Sequence, residues 1–102
     1  MRATRIELLP SAQADIDQIT DDLMEKNTQA AVALLNDIER ATGQLLSFPE
    51  VAPMARDERL AREGYRVMLL KYGYLMFYKI HDDAVFVYRV VDGRRNYGAF
   101  IN

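Results

Sequence analysis

The sequence predicts an α+β fold in a single domain, residues 1–102, and three observations support this. Residues 2–9 alternate in the manner of a β-strand, and residues 11–47 carry apolar side chains at helical spacing with one interruption. Residues 65–91 then hold three apolar and aromatic runs separated by turn-forming residues. We therefore expect an N-terminal strand, an antiparallel helical hairpin and a three-stranded antiparallel meander, with all strands in one sheet and the helices on one face.

The helical region divides into two amphipathic helices. Pro10 and Ser11 end the first strand and begin a helix, and the pair Asn27 and Thr28 interrupts the pattern, with Thr28 the expected N-cap of the second helix. Phe48 and Pro49 then end that helix after Ser47. Two helices joined by so short a break should pack antiparallel and cover one face of the sheet.

The C-terminal region follows a long connection, residues 49–63, with a short helical turn expected at residues 58–62. The predicted strands are residues 65–72, 74–80 and 85–91, divided at Gly73 and at the polar triplet 81–83. Strict alternation in the last strand places Val85, Val87, Arg89 and Val91 on one face and Phe86, Tyr88 and Val90 on the other.

Charge is distributed unevenly along the chain. Residues 1–63 carry seven Lys or Arg against twelve Asp or Glu, whereas residues 64–102 carry six against three. The basic C-terminal part could attract a polyanion or an acidic protein, and uneven placement of ordinary surface charge explains the asymmetry equally well.

Several classes of function lack the residues that they need. The chain has no Cys, one His, no glycine-rich phosphate loop and no zinc-binding motif, so we expect neither a metal nor a cofactor. His81 lies in a predicted turn between strands and is interpreted as a solvated residue. No apolar run is long enough for a signal peptide or a membrane span, so we expect a soluble cytoplasmic protein.

The remaining candidate residues are basic and aromatic side chains of the C-terminal strands and tail. Arginines interleaved with tyrosines can hold phosphates and stack on bases, which makes nucleic acid a possible ligand. Core tyrosines and arginines extending from a sheet edge would give the same composition.

The order of elements and the segment from Val87 to Tyr97, VYRVVDGRRNY, resemble the RelE/ParE family of bacterial toxin-antitoxin toxins. The resemblance implies a small cytoplasmic toxin that forms a hetero-oligomer with a cognate antitoxin. In this family, RelE-like members cleave mRNA on the ribosome, and ParE-like members inhibit DNA gyrase.

The departures from the RNA-cleaving pattern favour the ParE-like branch. Two positions that are basic in RelE-like members are Met68 and Leu75 here, and a histidine common in relatives is replaced by Asp92. Cleavage of RNA needs a base and cations at the phosphate, which Met and Leu cannot supply. We therefore expect a binding toxin and not an enzyme, with a ribosome-dependent endoribonuclease as the alternative and a chain retaining only antitoxin binding as a third possibility.

The resemblance also implies candidate site residues. The expected target-binding residues are Arg89, Arg94, Arg95 and Tyr97. If the protein were a nuclease, its catalytic candidates would be Arg66, Arg94, Arg95 and Tyr97. The apolar C-terminal residues Phe100 and Ile101 are the expected antitoxin contacts.

Overall fold

A computed structural model describes residues 2–95, 97 and 101, and these residues form an α+β structure around one four-stranded sheet. A 3₁₀ turn, Lys71–Gly73, joins the second and third strands. In chain order the elements are β1 (Arg5–Leu8), α1 (Pro10–Lys26), α2 (Thr28–Ser47), α3 (Glu58–Arg62), β2 (Arg66–Leu69), β3 (Tyr74–His81) and β4 (Ala84–Asp92). The predicted helical hairpin and the two predicted β-hairpins are therefore present.

The sheet has the strand order β1-β4-β3-β2 and is mixed. The strands β2, β3 and β4 form the expected antiparallel meander, and β1 joins the sheet beside β4, but in parallel. A parallel pair requires a long crossover connection, and the two helices with the following loop provide it. Strand β1 thus makes the sheet mixed. Its membership of the sheet was predicted, whereas its parallel orientation was not.

The break between the helices lies where the sequence predicts it, but a different residue forms the cap. Asn27 has an extended backbone, and its side-chain oxygen accepts a hydrogen bond from the Ala30 N–H at 3.1 Å. Asn27 therefore caps α2, and Thr28 is its first helical residue. No helix in the described part of the chain is both long and apolar enough to cross a membrane.

Both faces of the sheet are covered by apolar packing. On one face, α1 and α2 pack against strand residues that include Met76, Tyr78, Val85 and Val87. The other face carries a second cluster, formed by Ala55, Leu60, Tyr65, Phe77, Val91 and Ile101. The helical hairpin lies on one face as predicted, whereas Leu60 places the short helix α3 against the opposite face.

A β-bulge in β4 changes which side chains share a face. Phe77 pairs with Arg89 while the next residue, Tyr78, pairs with Val87, so Tyr88 has no partner in β3. An extra residue reverses the alternation beyond it. Val90 consequently joins Val87 in the helix-side cluster, and the prediction of strict alternation along β4 is wrong.

Candidate target-binding surface

The turn that follows β4 is held against the tip of the β2–β3 hairpin. The Gly93 N–H donates to the Gly73 carbonyl at 2.9 Å. A Cβ at position 93 would lie 2.9 Å from that carbonyl oxygen and 3.0 Å from Cγ of Leu75, so only glycine permits this approach. The predicted basic tail therefore starts from a fixed point on the sheet.

Arg94 is paired with Asp92 across this turn. Its Nε and Nη2 each donate to the Asp92 carboxylate at 2.9 Å, and its backbone N–H donates to the same carboxylate at 3.0 Å. These hydrogen bonds hold the pKa of Asp92 below its usual value and raise the pKa of Arg94. The guanidinium remains exposed, so a partner could still contact it.

Arg95 is the predicted site residue that is most available to a partner. Its backbone is fixed by a hydrogen bond from its N–H to the Asp92 carbonyl at 3.1 Å. Its side chain is exposed, and no ion pair or hydrogen bond joins it to another side chain in residues 2–95, 97 and 101. An anchored backbone with a free guanidinium suits recognition of a carboxylate or phosphate.

Arg89 is placed differently from the tail arginines. Its Nε and Nη2 donate to the Asp15 carboxylate on α1 at 2.7 and 3.0 Å, which raises the pKa of Arg89. The side chain is 27% exposed. The structure thus uses Arg89 to join α1 to β4, and its role in target binding stays a prediction.

Asp15 also supplies a partner to the β4 backbone where β1 has ended. It accepts the Val90 N–H at 2.9 Å, and the Ser11 hydroxyl donates to the Tyr88 carbonyl at 2.6 Å. The pairing of β1 with β4 stops at Leu8, so these two side chains of α1 continue the pairing of β4 beyond β1. The Asp15 side chain is 16% exposed, so it is not a solvated surface carboxylate.

The other two candidate nuclease residues also make internal contacts. Arg66 donates from Nη1 to the carbonyls of Ala52 and Glu50 at 2.8 and 3.4 Å, which ties β2 to the preceding loop. The Tyr97 ring is half-buried with its centroid 5.0 Å from that of Phe77. Arg66 and Tyr97 therefore both take part in the packing of the fold.

A groove of about 590 Å³ runs along the outer edge of β2, and Tyr97 contributes to its lining. Met68 and Leu75, the two positions that are basic in RelE-like members, both lie in this groove. Among its described lining residues the one cation is Arg56. The space beside Tyr97 is therefore mainly apolar.

The two predicted antitoxin contacts have different outcomes. Ile101 is buried in the second cluster, and its carbonyl accepts a hydrogen bond from Nη2 of Arg59 at 2.6 Å. In this conformation its side chain cannot reach a partner. Phe100 lies outside the described residues, and antitoxin contact by either residue stays a prediction.

The turn of the β2–β3 hairpin was predicted at Gly73, but its local structure was not. The strand predicted to continue through residue 72 ends at Leu69, and a 3₁₀ turn follows in which Tyr72 has a positive φ of 62°. The buried carboxylate of Asp37 accepts the Lys71 N–H at 2.8 Å. The left-handed conformation of Tyr72 had no signal in the sequence, because bulky side chains rarely adopt it.

Comparison with known proteins identifies the family. The family model described as "ParE toxin of type II toxin-antitoxin system, parDE" matches residues 6–97. Toxin ParE3 of Caulobacter vibrioides is 33% identical over 86 residues, which cover 83% of this chain and 82% of that protein. A solved structure, "Chromosomal ParDE TA system from P. aeruginosa", matches with a TM-score of 0.70 and 15% identity, over 86% of this chain and 94% of that one.

These matches define a small α+β toxin of the RelE/ParE class. The chain belongs to the ParE toxin family of type II toxin-antitoxin systems.

Proposed function

We propose that this toxin stops growth by binding DNA gyrase in the cytoplasm, without cleaving RNA, and that a cognate antitoxin neutralises it. The observation that carries this proposal is the apolar character of the groove beside Tyr97, where Met68 and Leu75 occupy the positions that are basic in the RNA-cleaving branch. The resemblance to the ParE-like branch supports gyrase as the target.

The chemistry of RNA cleavage explains why this groove matters. Attack by a 2′-hydroxyl requires a proton acceptor and cations that stabilise the charge developing at the phosphate. Arg66 donates to loop carbonyls and Arg94 is paired with Asp92. An apolar groove whose neighbouring arginines are already engaged within the protein is suited to packing against another protein.

The exposed basic turn is the proposed target-binding surface. Arg95 projects from a backbone that Asp92 fixes, and Arg94 presents an exposed guanidinium beside it. Arginine is enriched among the residues that dominate binding energy, because its planar group forms several directed hydrogen bonds. A gyrase surface with carboxylates would be complementary.

The outer edge of β2 is the proposed antitoxin site. Leu69 is 66% exposed on this edge strand, and Val51 and Met54 are exposed in the same groove. Apolar side chains beside an edge strand can accept an extended segment of a partner. The loop before β2 already pairs with its first half through the Val67 N–H and the Pro53 carbonyl, so a partner strand would pair next at Leu69.

Supercoiling and RNA cleavage can be measured with the same preparation. Purified wild-type toxin should inhibit supercoiling by gyrase, and primer extension on cellular mRNA after induction should show no new codon-specific cuts. Arg95→Ala should lose the inhibition. Arg62→Ala, which removes an exposed arginine from α3, is the matched control and should retain it. Cuts in ribosome-bound mRNA with normal supercoiling would contradict the proposal.

The antitoxin can be tested with the product of the neighbouring reading frame. A protein that binds the folded toxin should raise its melting temperature by mass action. Leu69→Glu should weaken this complex, because it places a charge in the apolar groove. His81→Glu introduces the same charge at an exposed position at the opposite end of β3 and should leave the complex intact. An unchanged melting temperature with the wild-type toxin would exclude that product as the antitoxin.

A further inference from the structure

Tyr72 adopts a backbone conformation that is unfavourable for its side chain. Its φ and ψ are 62° and 21°, in the left-handed region that glycine and asparagine enter more readily than bulky residues. Asp82, at the tip of the other β-hairpin, has a φ of 56°, but a short polar side chain tolerates this region. An aromatic residue at position 72 therefore needs a separate explanation.

The contacts of the Tyr72 side chain do not provide that explanation. The side chain is 49% exposed. Within residues 2–95, 97 and 101, its ring packs on no other aromatic ring and its hydroxyl makes no hydrogen bond. A strained residue whose ring is half exposed, and whose hydroxyl has no hydrogen bond within the described residues, suggests a contact with a partner.

The backbone around Tyr72 is held on both sides. The Lys71 N–H donates to the Asp37 carboxylate at 2.8 Å, and Nε of Arg40 holds the other oxygen of that carboxylate at 2.7 Å. The Leu70 N–H donates to the Tyr74 carbonyl at 2.8 Å across the turn. These bonds over-determine the backbone of the turn and keep Tyr72 in the left-handed conformation.

The hairpin tip and the basic turn form one surface. The bond from the Gly93 N–H to the Gly73 carbonyl joins them directly. The joined segments carry three cations, Lys71, Arg94 and Arg95, against one carboxylate, Asp92, that Arg94 already engages. We call Lys71, Tyr72, Arg94 and Arg95 the tip surface.

We propose that Tyr72 is a target-contact residue that completes the tip surface, and that the partner is a protein face carrying carboxylates around an apolar recess for the ring. This inference rests on the proposed function and names the chemistry of the site. Tyrosine flanked by arginine is the composition of residues that dominate binding in protein interfaces.

A protein face suits this surface better than a nucleic acid does. The cavity on the flank of Arg95 is lined by Asp15, Asp22 and Asp92. Asp15 and Asp92 already pair with Arg89 and Arg94, so this surface offers a few discrete cations beside carboxylates. A duplex presents a continuous phosphate charge and is less well matched to such a surface.

The test measures binding of wild-type and variant toxins to purified DNA gyrase without DNA, and to a linear DNA duplex alone. Tyr72→Asn keeps a residue that tolerates the left-handed region and removes the ring. Asp82→Asn places asparagine at the tip of the other β-hairpin and is the matched control. Tyr72→Asn should bind gyrase about tenfold more weakly or worse, as expected for a central contact, with an equal or higher melting temperature. Asp82→Asn should bind like the wild type.

Each other outcome counts against a specific statement. Tyr72→Asn within twofold of wild-type affinity, or an equal loss in Asp82→Asn, would overturn the role of Tyr72 and leave the proposed function standing. Tyr72-dependent binding to the duplex alone would overturn the protein partner. A wild-type toxin that fails to bind gyrase would overturn the proposed function, and this inference with it.

Discussion

The Asp15 carboxylate on α1 holds the Arg89 guanidinium on β4 through two hydrogen bonds of 2.7 and 3.0 Å. The two residues are 74 positions apart in the sequence, and the same carboxylate accepts the Val90 N–H. Because β1 ends before this part of β4, the pair joins the first helix to an otherwise uncovered strand edge. Arg89 therefore has a structural role in the fold, independent of any role in target binding.

Arg89→Ala should lower the stability of the protein. Loss of hydrogen bonds to a charged group costs about 1.5–3 kcal/mol, and about 4–8 °C of melting temperature corresponds to each kcal/mol in a domain of this size. Thermal unfolding of Arg89→Ala, Asp15→Ala and the double variant forms a double-mutant cycle. Additive losses would show that the two side chains are not coupled.

Arg95→Ala should abolish growth inhibition and leave the melting temperature within about 2 °C of the wild type. The reason is that the Arg95 side chain is exposed and has no ion pair or hydrogen bond to another side chain among the described residues. Arg95→Lys should remain impaired, since lysine cannot form two parallel hydrogen bonds with a carboxylate or phosphate. Growth on induction and thermal unfolding are measured on both variants. A fully toxic Arg95→Ala would remove this residue from the site.

Gly93→Ala and Gly43→Ala should change stability in opposite directions. At position 93 a Cβ would meet the Gly73 carbonyl at 2.9 Å, and overpacking of this kind costs about 1–3 kcal/mol. At position 43, inside α2, a Cβ would meet nothing within 4 Å, and alanine should add about 0.5–1 kcal/mol through its helix propensity. Denaturant unfolding of the two variants checks both signs. A neutral Gly93→Ala would mean that the turn and the hairpin tip can separate at little cost.

Ionisation of Asp37 should make the free energy of unfolding depend on pH in the acid range. Burial raises the pKa of its carboxyl, but the hydrogen bonds from Arg40 and from the Lys71 N–H outweigh burial, so the folded-state pKa lies below 3.8. Its contribution is therefore present above pH 3.8 and is lost as the pH falls through the lower, folded value. The difference in unfolding free energy between wild type and Asp37→Asn should be constant near neutral pH and shrink below pH 3.8. A difference that does not vary with pH would contradict this.

Local sequence patterns determined the elements of this protein. The helical spacing of residues 11–47, broken at Asn27, specified two helices, and Gly73 and the triplet 81–83 specified the turns of the meander. The segment from Val87 to Tyr97 also indicated the toxin family, which the comparisons confirmed. All of these features depend on residues close together in the chain, so the physical chemistry of short segments is enough to predict them.

Only the tertiary structure decided which side chains remain free. The bulge at Tyr88 reverses the faces of β4 beyond it. The parallel pairing of β1 brings α1 alongside that strand, and together these two features place Asp15 beside Arg89. Several aspartates of α1 had equivalent sequence surroundings, so nothing local could single out Asp15. The same holds for Ile101, which is buried against Leu60 and Phe77, and for Arg95, whose guanidinium stays exposed. The availability of a side chain depends on residues distant in sequence, and packing of the whole fold brings them together.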